Sequence, residues 1–375
     1  MKSSTFDVQR PAGSEKAILV GHAGREKDHL ERSMEELALL ADTAGATVMA
    51  SITQRRGSIH PAHFLGKGKV EEVKALASEK DADLVIFDDD LSPAQMRNLE
   101  KMLERKVIDR SELILDIFAK RARTRESRLQ VELAQLEYTL PRLMGMWKHL
   151  ERQAGGIGSR GPGETQLETD RRLVRDRISR LKQELRGVER ERETQRDRRR
   201  REYRAAIVGY TNAGKSTLFN AVTKSKVFVE NRLFATLDST TRQMVNEHRE
   251  VVLMTDTVGF IRKLPHHLVA SFHSTLVEAV EADVLLHVTD ASDPDRVRQM
   301  NAVDEVLDKI LLDARPPRIM VFNKCDLLNE DQVAALRVEF PDCIVASALD
   351  GTGLAALRAE LFTRSAARRA ARAAS

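Results

Sequence analysis

Between the apolar run Ala205–Val208 and an apolar stretch holding Leu218, Phe219, Ala221 and Val222 lies Gly209-Tyr210-Thr211-Asn212-Ala213-Gly214-Lys215-Ser216. This G-x-x-x-x-G-K-S spacing restricts the fold more than any other feature of the chain. Its chemistry needs a strand that ends in a loop and a helix that opens directly from that loop. Glycines let successive backbone N–H groups curl round a phosphate, and the helix N-terminus adds partial positive charge. Lys215 would reach the terminal phosphates, and the Ser216 hydroxyl would ligate the magnesium that bridges them.

The surrounding sequence supplies that setting. Apolar runs at Ala205–Val208, Val251–Met254, Asp283–Val288, Arg318–Phe322 and Cys343–Val345 alternate with helical patterns, which predicts an α/β domain. Asn323-Lys324-Cys325-Asp326 follows the fourth run. A carboxylate at Asp326 can accept hydrogen bonds from the N1–H and the exocyclic amine of guanine. Adenine lacks both donors, and an unpaired buried acceptor costs about 1–3 kcal/mol. Asn323 would hold the ring from the side and Lys324 would lay its stem over it. Ser347, Ala348 and Leu349 follow the fifth run, where a backbone N–H can meet the guanine oxygen. Asp256-Thr257-Val258-Gly259 ends the second run: Asp256 would hold the magnesium through water, and the Gly259 N–H would sense the γ-phosphate. A threonine should complete the metal shell, and spacing alone leaves Thr236, Thr240 and Thr241 open.

Upstream, the chain changes character twice. Ala17–Gly21, Ala46–Ile52 and Asp83–Phe87 read as strands; Asp28–Leu40, Lys69–Ser78 and Ser92–Leu103 read as helices, the last with Ser92 and Gln95 spaced as a capping box. A parallel sheet covered by helices follows. From Arg123 to about residue 200, Leu129, Leu133, Leu136, Leu140 and Leu143 form a heptad seam, as do Val174, Ile178, Leu181, Leu185 and Val188. Gln153–Gly163 between them cannot continue a helix, so an antiparallel helical hairpin with a glycine-rich tip is expected, kinked at Pro141. Arg186–Arg204 carries nine arginines against five acids, and Ser365–Ser375 reads as a frayed helix end or a disordered tail. The expected organisation is therefore an N-terminal α/β domain (1–122), the hairpin (123–200), a phosphate-loop domain (201–362) and a basic tail (363–375).

Composition excludes other classes. The chain has 375 residues and two cysteines, Cys325 and Cys343, too few for a disulfide framework or a multi-cysteine zinc site. No apolar run approaches the roughly 18 residues of a membrane span, and the polar start lacks a secretion signal, so a reducing cytoplasmic setting is expected. With 61 basic against 57 acidic side chains, net charge alone does not specify nucleic acid.

Taken together, GYTNAGKST at 209–217 (ending in Thr217), Phe234-Ala235-Thr236-Leu237-Asp238, DTVGF at 256–260, SRGPGETQLETDRR at 159–172 and FLGKGK at 64–69 resemble the HflX family of ribosome-associated GTPases. The resemblance runs from about residue 15 to residue 362. It implies that Thr236 is the switch threonine beside Ser216, and that the segments named line a GTP or GDP held with magnesium. It also implies a cytoplasmic monomer that binds the large ribosomal subunit and its RNA, and splits or rescues stalled ribosomes under stress. Ser239 stands where relatives often have proline.

Catalytic weight is expected on Lys215, Thr236, Gly259 and Asn212. Phe260 occupies the place where many small GTPases have a water-orienting glutamine, so slow intrinsic hydrolysis is expected. Asn212 either holds a potassium ion beside the phosphates or shapes the loop. Gly66-Lys67-Gly68-Lys69 lacks phosphate-loop spacing and reads as a turn opening a helix. An ATP-driven RNA remodeller with its motor in the first domain is the alternative function.

Overall fold

A computed structural model describes residues 14–23, 28–55, 58–143, 162–197, 202–225, 233–263, 278–311 and 316–373. Its contacts divide the chain into two compact units, Met1–Lys120 with Val131–Lys182, and Arg121–Gln130 with Gln183–Ser375.

The first unit is built on β1 (Lys16–Ala23), β2 (Thr47–Arg55), β3 (Leu84–Phe87) and β4 (Lys106–Asp109), with α1 (Asp28–Ala44), α2 (Lys67–Glu79), α3 (Pro93–Leu103) and α4 (Arg110–Arg121). Strand order is β2-β1-β3-β4 and every pairing is parallel. Strand β3 is buried at all four positions, which is why it reads as an unbroken apolar run rather than an alternation. The capping box opens α3: Gln95 N–H donates to the Ser92 hydroxyl, and the Ser92 N–H donates to the Gln95 side chain. Gly66 caps α2 and donates its N–H to Gln54 Oε1, so the glycine–lysine run is the start of that helix.

Helix α5 (Arg125–Leu143) and helix α6 (Pro162–Asp197) follow. Within the first unit they are joined by Arg177–Glu132 and Lys182–Glu137 ion pairs, each 2.7 Å. Leu129, Leu133 and Leu181 of the expected seams are buried, whereas Leu136, Leu140, Val174, Ile178, Leu185 and Val188 are only half-buried, so the seams are partly covered. Helix α5 continues through Pro141 to Leu143, whereas most of the glycine-rich stretch 153–163 lies outside the described residues. A polar cluster fastens α5 to the sheet. Tyr138 donates its hydroxyl to Asp109 Oδ1 (2.8 Å), and Arg142 pairs with Asp109 Oδ2 (3.0 Å) while lying over the Tyr138 ring.

The second unit has β5 (Tyr203–Gly209), α7 (Lys215–Thr223), β6 (Thr240–Val245), β7 (Val251–Asp256), β8 (Val284–Asp290), α8 (Arg296–Leu311), β9 (Arg318–Asn323), α9 (Glu330–Glu339), β10 (Ile344–Val345) and α10 (Leu354–Ala373). The sheet runs β10-β9-β8-β5-β7-β6, parallel except for the β6–β7 edge pair. Ile207, Leu286, Val288, Leu218, Phe219, Leu357 and Leu361 form its core, each fully buried. Burying one such side chain stabilises by about 1.5–3 kcal/mol. The basic segment after Phe362 is no separate tail: α10 continues through it to Ala373. Ser365 is buried there, and Arg368 pairs with Asp283 at 2.6 Å.

Candidate functional site

Strand β5 ends at Gly209 in the middle of the sheet, and the loop that follows turns into α7 at Lys215. Gly214 caps this helix at φ 84°, a left-handed conformation in which a β-carbon would fall 2.2 Å from Asn323 Nδ2. Only glycine fits there. Asn212 also takes a left-handed conformation (φ 61°), which asparagine tolerates, and its side chain is exposed.

The Asp256 segment is laid against this loop. Thr211 N–H donates to Phe260 O (2.7 Å) and Phe260 N–H donates to Gly209 O (3.1 Å), a bridge that the sequence motifs did not announce. Thr257 donates its hydroxyl to Ile207 O (2.6 Å), while the Phe260 ring is fully buried. Gly259 sits so close to Lys215 that a β-carbon on it would lie 2.8 Å from the ammonium nitrogen.

Four polar side chains converge here. Ser216 Oγ donates to Asp256 Oδ2 (2.6 Å) and stands 2.7 Å from Thr236 Oγ1. Of the threonines left open by spacing, Thr236 stands at Ser216, while Thr240 and Thr241 lie in β6. Asp256 Oδ1 is buried and accepts no hydrogen bond among the described residues, and burial raises the carboxyl pKa against the opposing pull of Ser216 and Lys215. Lys215 is buried, donates to Tyr210 O (2.7 Å), and has its pKa pushed down to about 8 by burial, with Asp256 opposing. An unsatisfied carboxylate oxygen beside two hydroxyls is an all-oxygen donor set suited to a hard divalent cation.

At the end of β9 a second group assembles. Asn323 donates Nδ2–H to Ala213 O (2.9 Å) and accepts from Ala348 N–H (3.0 Å), tying the phosphate loop to the 346–350 segment. An amide nitrogen carries two hydrogens, and this tie uses one. Asp326 accepts from Ser347 Oγ (2.6 Å), which itself accepts from Leu349 N–H (3.2 Å). Lys324 pairs with Asp290 at 2.6 Å, a partner at the end of β8 that no motif flagged.

Among the expected nucleotide contacts, Ala235 and Thr217 are half-buried, while Phe234, Leu237 and Val258 are buried. Asp238 is engaged elsewhere, accepting from Thr124 Oγ1 at 2.6 Å.

Three family profiles match the chain: "GTP-binding GTPase N-terminal" over residues 31–119, "GTP-binding GTPase Middle Region" over 121–199 and "50S ribosome-binding GTPase" over 204–324. A GTPase HflX of Flavobacterium psychrophilum is 52% identical over 83% of this chain and 76% of its own. The GTPase HflX of Escherichia coli K12 is 48% identical over 93% of this chain and 83% of its own. The chain belongs to the HflX family of GTPases. This HflX GTPase hydrolyses GTP, and its second unit carries a domain of the 50S ribosome-binding GTPase type. The crystal structure of the SsGBP–GDP complex is 25% identical, covers 94% of this chain and 98% of its own, and superposes with a TM-score of 0.51. No helix of this HflX chain is long and apolar enough to cross a membrane, among the described residues.

Proposed function

We propose that this HflX GTPase binds the large ribosomal subunit in its GTP-bound form, releases it after hydrolysis, and so splits or rescues stalled ribosomes under stress as a cytoplasmic monomer. The observation that carries this reading is that Thr236 stands at Ser216, which donates to Asp256, so the segment bearing Thr236 reaches the phosphate site. A γ-phosphate would hold Thr236 and Gly259 in place, and its loss would release them.

Ser216 and Thr236, with Asp256 through water, are the residues that would hold magnesium, and the free Asp256 Oδ1 supports that fit. Bound there, the cation neutralises charge on the β- and γ-phosphates. Lys215 carries its positive charge to the same oxygens, and the Gly259 N–H marks the γ-position. Ser347 holds Asp326, the carboxylate that would meet the guanine edge. The backbone from Gly209 through Thr217 cradles the phosphates. Phe260 is buried and apolar, so no side chain at that place orients the attacking water, and unstimulated turnover is slow. Asn212, exposed on the phosphate loop, is the candidate ligand for potassium.

Sucrose-gradient sedimentation of assembled ribosomes with GTP, a slowly hydrolysed analogue or ATP tests the proposal. Dissociation or co-migration with GTP or its analogue is the expected result. Indifference to all three nucleotides would overturn it, and a response to ATP alone would move the motor to the first unit.

A further inference from the structure

We propose that Asp238 is a positioning residue for the GTPase reaction: it holds the segment carrying Thr236 by bridging that segment to Thr124 at the start of α5. This rests on the reading of Thr236 as the residue that answers to a triphosphate. The Asp238 carboxylate accepts from Thr124 Oγ1 (2.6 Å), from Arg123 N–H (3.2 Å) and, more weakly, from Thr124 N–H (3.4 Å). The two residues lie 114 positions apart in the chain yet belong to the same compact unit.

Thr124 is occupied on both sides. Its hydroxyl oxygen accepts from Ser127 N–H (3.1 Å), which caps the first turn of α5, while its hydroxyl proton goes to Asp238. An anion at a helix N-terminus is stabilised by the unpaired N–H groups and the helix dipole. A carboxylate that served only to face solvent would need none of these partners.

The chain between Asp238 and the phosphate site is short and packed. Only Leu237 separates Asp238 from Thr236, and it is 3% exposed. Residues two apart lie at most about 7 Å from each other along a trans backbone, so little slack exists to absorb a displacement. On the other side, Thr240 enters the β6–β7 ladder opposite Asp256. Asp238 is thus the last tie before a fixed ladder, at the point where the switch segment would hinge. With the tie made, Thr236 stands ready beside Ser216; without it, ordering the segment draws on the binding energy of the triphosphate.

Equilibrium titration of the full chain, with magnesium, using fluorescent GDP and a fluorescent non-hydrolysable GTP analogue tests this. Asp238→Asn is expected to weaken the analogue about tenfold more than it weakens GDP. Thr124→Val should reproduce the loss and Thr124→Ser should not. The double variant Asp238→Asn/Thr124→Val should lose no more analogue affinity than either single change, because both break the same Asp238–Thr124 bond. Equal weakening of both nucleotides, no weakening of either, or an additive double variant would overturn the proposal. Ribosome sedimentation of the unaltered chain judges the functional reading separately: a chain that ignores ribosomes yet shows the selective loss leaves the positioning role standing.

Discussion

Ser347 Oγ donates a 2.6 Å hydrogen bond to Asp326 Oδ1, so the carboxylate expected to read guanine is held by a neighbour from the following loop. Asp326 is otherwise exposed, and a free carboxylate there would sample several rotamers. Ser347→Ala should therefore weaken GDP binding about tenfold, the equivalent of one charge-assisted hydrogen bond. Asp326→Asn should exchange the preferred base for xanthine, whose 2-oxo group accepts from the new amide. Calorimetric titration with GDP and xanthosine diphosphate separates the two outcomes, and undiminished preference for GDP in Asp326→Asn would refute the guanine assignment.

Gly214→Ala should cost far more than its one methyl group. The new carbon would lie 2.2 Å from Asn323 Nδ2, at a backbone φ of 84°, and would push aside the amide that joins Ala213 to Ala348. Left-handed strain of about 1–2 kcal/mol plus a lost buried hydrogen bond of about 1 kcal/mol predicts roughly hundredfold weaker nucleotide binding. Gly351→Ala is the control. Its φ is also positive, at 90°, but a β-carbon there meets nothing, so GDP affinity should be retained and only the melting temperature should fall.

The first unit should lose stability as pH rises from about 4.5 through 7. Burial, with Asp109 and Asp116 adding repulsion, raises the Glu112 pKa from 4.5 to about 7. The native state therefore holds this proton where the unfolded chain has lost it. That stabilisation is full below about pH 4.5 and disappears as pH rises through 7, which puts about 3 kcal/mol at stake. Urea unfolding between pH 5 and 8 should show it, with Glu112→Gln flattening the profile. An unchanged slope in the variant would place the effect elsewhere.

Turnover of GTP should be faster in potassium chloride than in sodium chloride at equal ionic strength. Asn212 combines an exposed side chain with a left-handed backbone, so Asn212→Gly preserves the loop while removing the candidate ligand. The variant should lose the difference between the salts and keep its GDP affinity. Equal rates in both salts for the unaltered chain would leave Asn212 a loop-shaping residue.

The elements most legible in the sequence were those fixed by local chemistry. Ser92 and Gln95 announced the start of α3 because the capping box closes within one turn. The spacing around Lys215 placed a loop between a strand and a helix because only that geometry aims the N–H groups at one point. Strand β4 and helix α4 were not anticipated: Lys106–Asp109 is a four-residue strand, and α4, which Asp109 caps by accepting from Glu112 N–H at 2.9 Å, follows it without an intervening loop. Arg110 is fully buried against Asp88 and Glu36, and such a residue looks like surface in a linear pattern. Distant partners were likewise invisible. Nothing in the spacing links Tyr138 to Asp109, Lys324 to Asp290 or Asp238 to Thr124, because each pair is brought together by packing rather than by period. The basic end of the chain left a frayed helix end and a disordered tail both open because alanine and arginine give no apolar seam, whereas in the fold it is helical and held by a buried serine and specific ion pairs.

Arg368 donates to the Glu202 carbonyl as well as to Asp283 and rests above the Tyr203 ring. The last turns of α10 therefore clasp the very strand that delivers the phosphate loop. Truncation after Phe362 would strip that clasp from the root of the nucleotide site, so a fusion partner belongs beyond Ala373, with a spacer, and never in place of these turns.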